Sequence, residues 1–81
     1  MVEVNLWANL RPLVDGQKSV EVEATNVGEL LRVLVEMHPR LKPAFDAGVS
    51  VAIDGRLIAN SLTEPIQPNS EVFLMQRLKG G

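Results

Sequence analysis

The sequence predicts an α+β fold, a mixed sheet of four to five strands with one main helix across one face. The first observation is the hydrophobic pattern, which has a period of two near both ends of the 81-residue chain and a helical period in between. The second is the placement of six glycines and five prolines, most of which stand between these segments, where turns are expected. A chain of this length has room for one domain with one hydrophobic core.

An N-terminal hairpin is predicted by two alternating stretches. Apolar residues occupy every second position in each of them: Val2, Val4, Leu6 and Ala8 in the first, and Val20, Val22 and Ala24 in the second. Such alternation is typical of a strand with one buried face. The intervening residues 9–17 contain Pro12 and the dipeptide Asp15-Gly16, which favour a longer turn.

One helix is predicted over about residues 27–38. Asn26 precedes Glu29 by three residues, a spacing that resembles a capping box at a helix start. Pro39 ends the pattern, because a proline restricts the residue before it and removes a backbone donor. The residues that recur at helical spacing are Val27, Leu30, Leu31, Leu34 and His38.

The second half of the chain returns to strand signals. Its segments are a proline-bounded connection over 40–48, a strand over 49–53, a tight turn at Asp54-Gly55, a short apolar run over 57–59, a turn-rich link over 60–70 and a final strand over 71–78. Leu41 and Phe45 are expected to fill the core from the connection. The sequence shows no internal repeat and no low-complexity segment.

Composition and charge exclude several classes of function. The net charge of −2 argues against nucleic acid or an anionic membrane surface as a main partner. The chain has no cysteine, so it cannot supply a disulfide, a thiolate metal ligand or its own persulfide. The N-terminus lacks the segments of a secretory signal, and no apolar run is long enough to span a membrane. We therefore expect a cytoplasmic protein.

No catalytic set is recognisable among the titratable residues. His38 is the single histidine, and a histidine in the last turn of a helix is explained by the negative end of the helix dipole. Glu21 and Glu23 share one strand face, and Glu29 is explained by capping. These residues therefore indicate neither a catalytic triad nor a catalytic acid pair.

The diglycine Gly80-Gly81 is the most informative feature. It follows the predicted strand over 71–78 with only Lys79 between them. Two residues without a Cβ atom make a narrow chain that can thread a slot closed to side chains. We expect a folded domain over residues 1–78 and a flexible tail over 79–81, whose terminal carboxylate is ionised at neutral pH and available as a nucleophile toward an activated phosphate.

A resemblance to a known family is carried by segments 4–13, 26–31, 51–55 and 71–72, followed by Gly80-Gly81. In order and spacing they resemble the MoaD/ThiS family, the small ubiquitin-like sulfur carriers of molybdopterin and thiamin biosynthesis. The family's fold is the β-grasp, in which the last strand lies parallel to the first and beside it, and a helix covers one face. The resemblance extends over nearly the whole chain.

The resemblance implies that Gly81 is adenylated by an ATP-dependent enzyme related to ubiquitin-activating enzymes. Sulfur from a persulfide protein would then convert Gly81 to a thiocarboxylate, which donates sulfur to a synthase subunit. ATP and magnesium would belong to the activating partner, so no cofactor or metal site is expected in this chain. The resemblance also implies that the chain is not itself an enzyme and that activity resides in its partners. Molybdopterin-type biosynthesis is favoured over other recipients of the sulfur, which include thiamin, cysteine and specialised metabolites.

The period of two also predicts a docking surface for these partners. If Val4, Leu6, Val72 and Leu74 point toward the helix, then Trp7, Phe73 and Met75 point away from it. In a β-grasp these three residues become neighbours, and clustered apolar residues on a surface usually have a use. Further partner contacts are expected from the residues that precede the diglycine: Arg77, Leu78 and Lys79.

Two alternatives from other classes remain at this stage. The first is a protein modifier conjugated through Gly81, favoured by the segment Gln76-Arg77-Leu78-Lys79, which is similar to the end of ubiquitin. The second is a β-grasp interaction module in which the diglycine is incidental.

Overall fold

The computed structural model describes residues 1–58 and 62–76. Its strands and helices are β1 (Val2–Leu6), β2 (Ser19–Val22), α1 (Val27–Met37), α2 (Leu41–Ala47), β3 (Val49–Ile53), β4 (Arg56–Ile58) and β5 (Glu71–Gln76), with a single 3-10 turn at Arg11–Val14 between β1 and β2. The predicted α+β class with one mixed sheet is confirmed.

The five strands form one sheet in the order β2-β1-β5-β3-β4. β1 pairs with β2 and β3 pairs with β4 as antiparallel hairpins. β5 joins the two hairpins, because it lies parallel to β1 on one side and antiparallel to β3 on the other. The predicted neighbourhood of the first and last strands is therefore confirmed, and the last strand lies at the centre of the sheet.

One face of this sheet forms the core under α1. Val4, Leu6, Val72 and Leu74 on β1 and β5 are almost fully buried, as are Leu30 and Leu34 on α1. Each buried Val or Leu side chain contributes roughly 1.5–3 kcal/mol relative to exposure. The alternation that predicted the inward face of both strands is confirmed, and so the other residues of β1 and β5 point to the opposite face.

The first strand ends earlier than the alternation predicts. Ala8 is exposed, because the Leu10 amide donates to the Trp7 carbonyl at 2.9 Å and a turn begins there. In place of Ala8, Leu10 and Val14 enter the core, both with 0% exposure. Leu10 immediately precedes the 3-10 turn and Val14 ends it, within residues 9–17, which the sequence indicated only as a longer turn.

The predicted connection over 40–48 contains a second helix, α2. Pro43 lies in its first turn, where the missing backbone donor has no intrahelical acceptor to lose. A proline there is compatible with a helix, and the proline signals at 39 and 43 therefore misled the sequence interpretation. Leu41 is fully buried, as predicted, whereas Phe45 is half-buried at the edge of the core.

The start of α1 has the predicted cap. The Glu29 amide donates to Asn26 Oδ1 at 2.8 Å, and the Glu29 carboxylate accepts from the Thr25 amide at 2.8 Å. Gly28 allows the link between β4 and β5 to approach the start of α1, since the Gly28 amide donates to the Leu62 carbonyl at 2.8 Å. A Cβ atom on Gly28 would lie 3.0 Å from that carbonyl oxygen.

The turn between β3 and β4 is the tight hairpin that Asp54-Gly55 predicts. Both residues have positive φ, 51° and 84°, as a two-residue type I′ turn requires. The predicted strand over 71–78 is observed up to Gln76, and residues 77 and 78 lie outside the described part of the chain. Ala59 in the predicted run over 57–59 also lies outside it.

Candidate functional site

The predicted reactive end lies just beyond the described residues. Arg77, Leu78, Lys79, Gly80 and Gly81 are all outside that part of the chain, so their predicted roles stay predictions. The strand that leads to them is β5, whose Gln76 pairs with Val49 of β3. Gly81 is the fifth residue after Gln76, the last described residue of this central, paired strand.

The structure places Trp7, Phe73 and Met75 on the face of the sheet that the helices leave uncovered. Phe73 is level with Asn5 of β1 and with Ala52 of β3. The Trp7 amide donates to the Leu74 carbonyl at 3.1 Å, which continues the β1–β5 pairing by one residue and brings Trp7 beside Met75. Trp7 is 52% exposed, while Phe73 and Met75 are half-buried.

The sequence interpretation missed two members of this apolar surface. Leu57 of β4 is 65% exposed. It pairs with Ala52, which pairs with Phe73, so the apolar surface extends from β5 across β3 to β4. The two-residue turn at Asp54-Gly55 was the available signal, because it sets Leu57 opposite Ala52 in a hairpin. We call Trp7, Ala52, Leu57, Phe73 and Met75 together the docking face, after the role that the sequence analysis predicts for Trp7, Phe73 and Met75.

Hydrogen bonds hold the strands beneath the docking face. The Asn5 side-chain amide donates to the Val72 carbonyl at 3.1 Å and links β1 to β5. The Arg11 guanidinium donates from Nε to the Leu6 carbonyl at 3.0 Å and ties the 3-10 turn to the end of β1. Both residues therefore stabilise the position of Trp7 and its neighbours, and neither was identified from the sequence.

The end of this face at the start of β5 is acidic. Glu3 of β1 pairs with Glu21 of β2 and with Glu71 of β5, so that three carboxylates lie in one row across three strands. All three residues are exposed. Asp54 adjoins the row, since its carboxylate accepts from the Glu71 amide at 2.9 Å. The face is therefore polarised along β5, from acidic to apolar.

The histidine singled out in the sequence has a structural role. His38 caps the C-terminal end of α1, where its backbone amide donates to the Leu34 carbonyl. Within residues 1–58 and 62–76, no group of His, Asp and Glu side chains is arranged to hold a metal ion. The helices of these residues include none that is long and apolar enough to cross a membrane.

Solved structures with the same architecture are ubiquitin-like β-grasp proteins. SAMP1 from Haloferax volcanii is 27% identical with a TM-score of 0.78, and the match covers 99% of this chain and 98% of that one. One chain of the Amycolatopsis orientalis BexX/CysO complex is 18% identical with a TM-score of 0.80 and full coverage of both. One chain of the complex of subunits 1 and 2 of the molybdopterin-converting factor from Helicobacter pylori is 22% identical with a TM-score of 0.69, covering 99% and 97%.

The fold and the surface thus define a ubiquitin-like β-grasp protein. Residues 4–81 match the ThiS family, and the chain belongs to that family. No curated protein sequence matches it. The resemblance to MoaD/ThiS proteins is confirmed, and the fold is that of the ubiquitin-like sulfur carriers. Two of the similar structures are complexes with a second protein, so relatives of this fold bind partner proteins.

Proposed function

We propose that this protein is a sulfur carrier whose Gly81 carboxylate becomes a thiocarboxylate, and that catalysis resides in its partners. The observation that supports this most is the match to the ThiS family over residues 4–81, which includes Gly80-Gly81. The position of β5 is consistent with the proposal, because β5 is the central strand of the sheet and its Phe73 and Met75 belong to the docking face.

The proposed chemistry has three steps, which take place at the Gly81 carboxyl group and on partner proteins. A carboxylate oxygen of Gly81 attacks the α-phosphorus of ATP and displaces pyrophosphate. The terminal sulfur of a persulfide on a donor protein then attacks the acyl carbon, and AMP leaves. A thiol of a partner cleaves the resulting acyl disulfide, which releases the thiocarboxylate and forms a disulfide between partner sulfurs.

The absence of cysteine from the sequence is consistent with this division of labour. Both the sulfur and the reducing thiol must come from other proteins, since this chain has no thiolate to offer. ATP and magnesium are assigned to the activating enzyme in this proposal, and the reactions are assigned to the cytoplasm.

The docking face is the proposed contact with the activating, sulfur-donating and sulfur-accepting partners. Large apolar side chains that adjoin one another on a surface favour such a role. Arg77, Leu78 and Lys79 are proposed to add contacts along the tail. Molybdopterin-type biosynthesis is the favoured recipient of the sulfur, and one structure with this fold is named as a part of the molybdopterin-converting factor.

The test is incubation of the full chain with a candidate activating enzyme, ATP, magnesium and a persulfide donor with its reducing thiol. Intact mass should rise by the difference between one sulfur and one oxygen. A matched control with one residue appended after Gly81 should show no rise, because its carboxylate is displaced from the diglycine. If no enzyme of the source organism that is related to ubiquitin-activating enzymes formed an adenylate at Gly81, the proposal would be refuted.

A second candidate function is protein modification through Gly81. The similar structure with 27% identity is named small archaeal modifier protein 1, and the segment before the diglycine is similar to that of ubiquitin. A modifier would form isopeptide conjugates that survive a denaturing gel, whereas a carrier would not. If removal of Gly81 left the function of the protein unchanged, the diglycine would be incidental and the protein an interaction module.

A further inference from the structure

The acidic end of the sheet has an arrangement that folding does not explain. Glu3, Glu21 and Glu71 are level with one another on adjacent strands. Neighbouring strands lie about 4.8 Å apart, so the row spans about 10 Å. Like charges directly opposite each other destabilise a sheet. The row therefore opposes the stability of the fold that carries it.

Within residues 1–58 and 62–76, no ion pair with N···O of 4.0 Å or less includes a member of this row. The ion pairs there are Arg32 with Glu36, Lys42 with Asp46, and Arg56 with Glu64. Apart from the row itself and Asp54 beside it, the residues that the register places on the same face are polar uncharged or apolar: Asn5, Ser19, Ser50, Ala52, Leu57, Phe73 and Met75.

The row borders the docking face on one side only. On β5, Phe73 lies two residues after Glu71, and Met75 lies two residues after Phe73. Side chains two residues apart in a strand are separated by about 6.6 Å, so the acidic surface is followed directly by the apolar surface. An occupant of the docking face that also neutralises the row must combine an apolar centre with basic side chains along one edge.

We propose that the partner which docks on this face is a protein surface of that kind, with Lys or Arg side chains set against Glu3, Glu21 and Glu71. This inference rests on the proposed function. The carboxylate row orients the partner, because only one direction of docking pairs its basic edge with the row and leaves its reactive site toward Gly81. A second copy of this chain does not fit as well, since it would set one acidic row against a face with no described cation.

The row acts mainly on encounter and orientation. Three exposed carboxylates within one Debye length, about 10 Å at 0.1 M salt, attract a basic edge together. Such complementarity raises association rates and selects the correct orientation, and its effect falls as salt rises. The docking face supplies most of the remaining binding.

The experiment compares two variants with the same net charge. One is Glu3→Gln, Glu21→Gln, Glu71→Gln. The control is Asp15→Asn, Glu36→Gln, Asp46→Asn, which removes three exposed carboxylates elsewhere. With the activating enzyme that adenylates the wild type, the KM for the carrier should rise about tenfold for the row variant near 0.05 M salt and converge near 0.5 M. A row variant indistinguishable from the control would overturn the inference.

A second probe keeps this inference separate from the proposed function. The probe is a synthetic amphipathic peptide with leucines along one side and lysines along its edge, followed by amide chemical shifts. Shifts should cluster at Glu3, Glu71 and Phe73, and a peptide with glutamates in place of the lysines should produce none there. Shifts confined to α1 and α2, or equal for both peptides, would refute the basic-partner inference. Absence of adenylation would instead refute the carrier proposal.

Discussion

Adjacent residues on β5 offer the sharpest test of the docking face. Phe73 lies on the helix-free face and is half-buried, whereas Leu74 is fully buried in the core. Truncating an aromatic anchor in an interface commonly costs about 2–4 kcal/mol of binding free energy. Phe73→Ala should therefore weaken the complex with the activating enzyme by roughly 30-fold or more, since about 1.4 kcal/mol corresponds to tenfold.

Leu74→Ala is the matched control for stability. A buried Leu→Ala change costs about 2–5 kcal/mol, a large part of the roughly 4–12 kcal/mol expected for a domain of this size. The melting temperature of Leu74→Ala should fall by at least about 10 °C, and that of Phe73→Ala by no more than about 5 °C. Calorimetric titration and thermal unfolding measure the two effects. Loss of stability in Phe73→Ala with retained affinity would show that Phe73 acts as a core residue.

Three further predictions concern the elements that support this face. Asn26→Ala should lower the unfolding free energy by about 1 kcal/mol through loss of the helix cap, whereas Asn26→Asp should keep it; equal denaturation midpoints for the two would contradict the capping role. Gly28→Ala should destabilise by about 1–3 kcal/mol because the added methyl meets the Leu62 carbonyl, and unchanged thermal unfolding would show that the loop gives way. Gly55→Ala should cost about 1 kcal/mol at its φ of 84°, while Gly55→Asn should cost less, as urea denaturation can measure.

The predicted fold was wrong at two places, the end of β1 and the connection over 40–48, where the local sequence pattern did not indicate which residues become buried. The alternation of Val2, Val4 and Leu6 indicated a strand but not its end, because Ala8 is apolar and the turn that excludes it depends on Leu10 entering the core. The prolines at 39 and 43 favoured a connection, although a helix that begins at Leu41 accommodates Pro43 in its first turn. In both cases burial elsewhere in the molecule decided the backbone path.

The sequence by itself determined the inward and outward faces of β1 and β5, the cap of α1, the hairpin at Asp54-Gly55, and the diglycine that characterises the proposed chemistry. These properties depend on residues within a few positions of one another. The tertiary structure alone showed that β3 lies beside β5, which sets Ala52 and Leu57 next to Phe73, and that Glu3, Glu21 and Glu71 form one row. Such neighbours belong to strands that are distant in the chain, and their alignment depends on strand order and register, which local spacing does not specify.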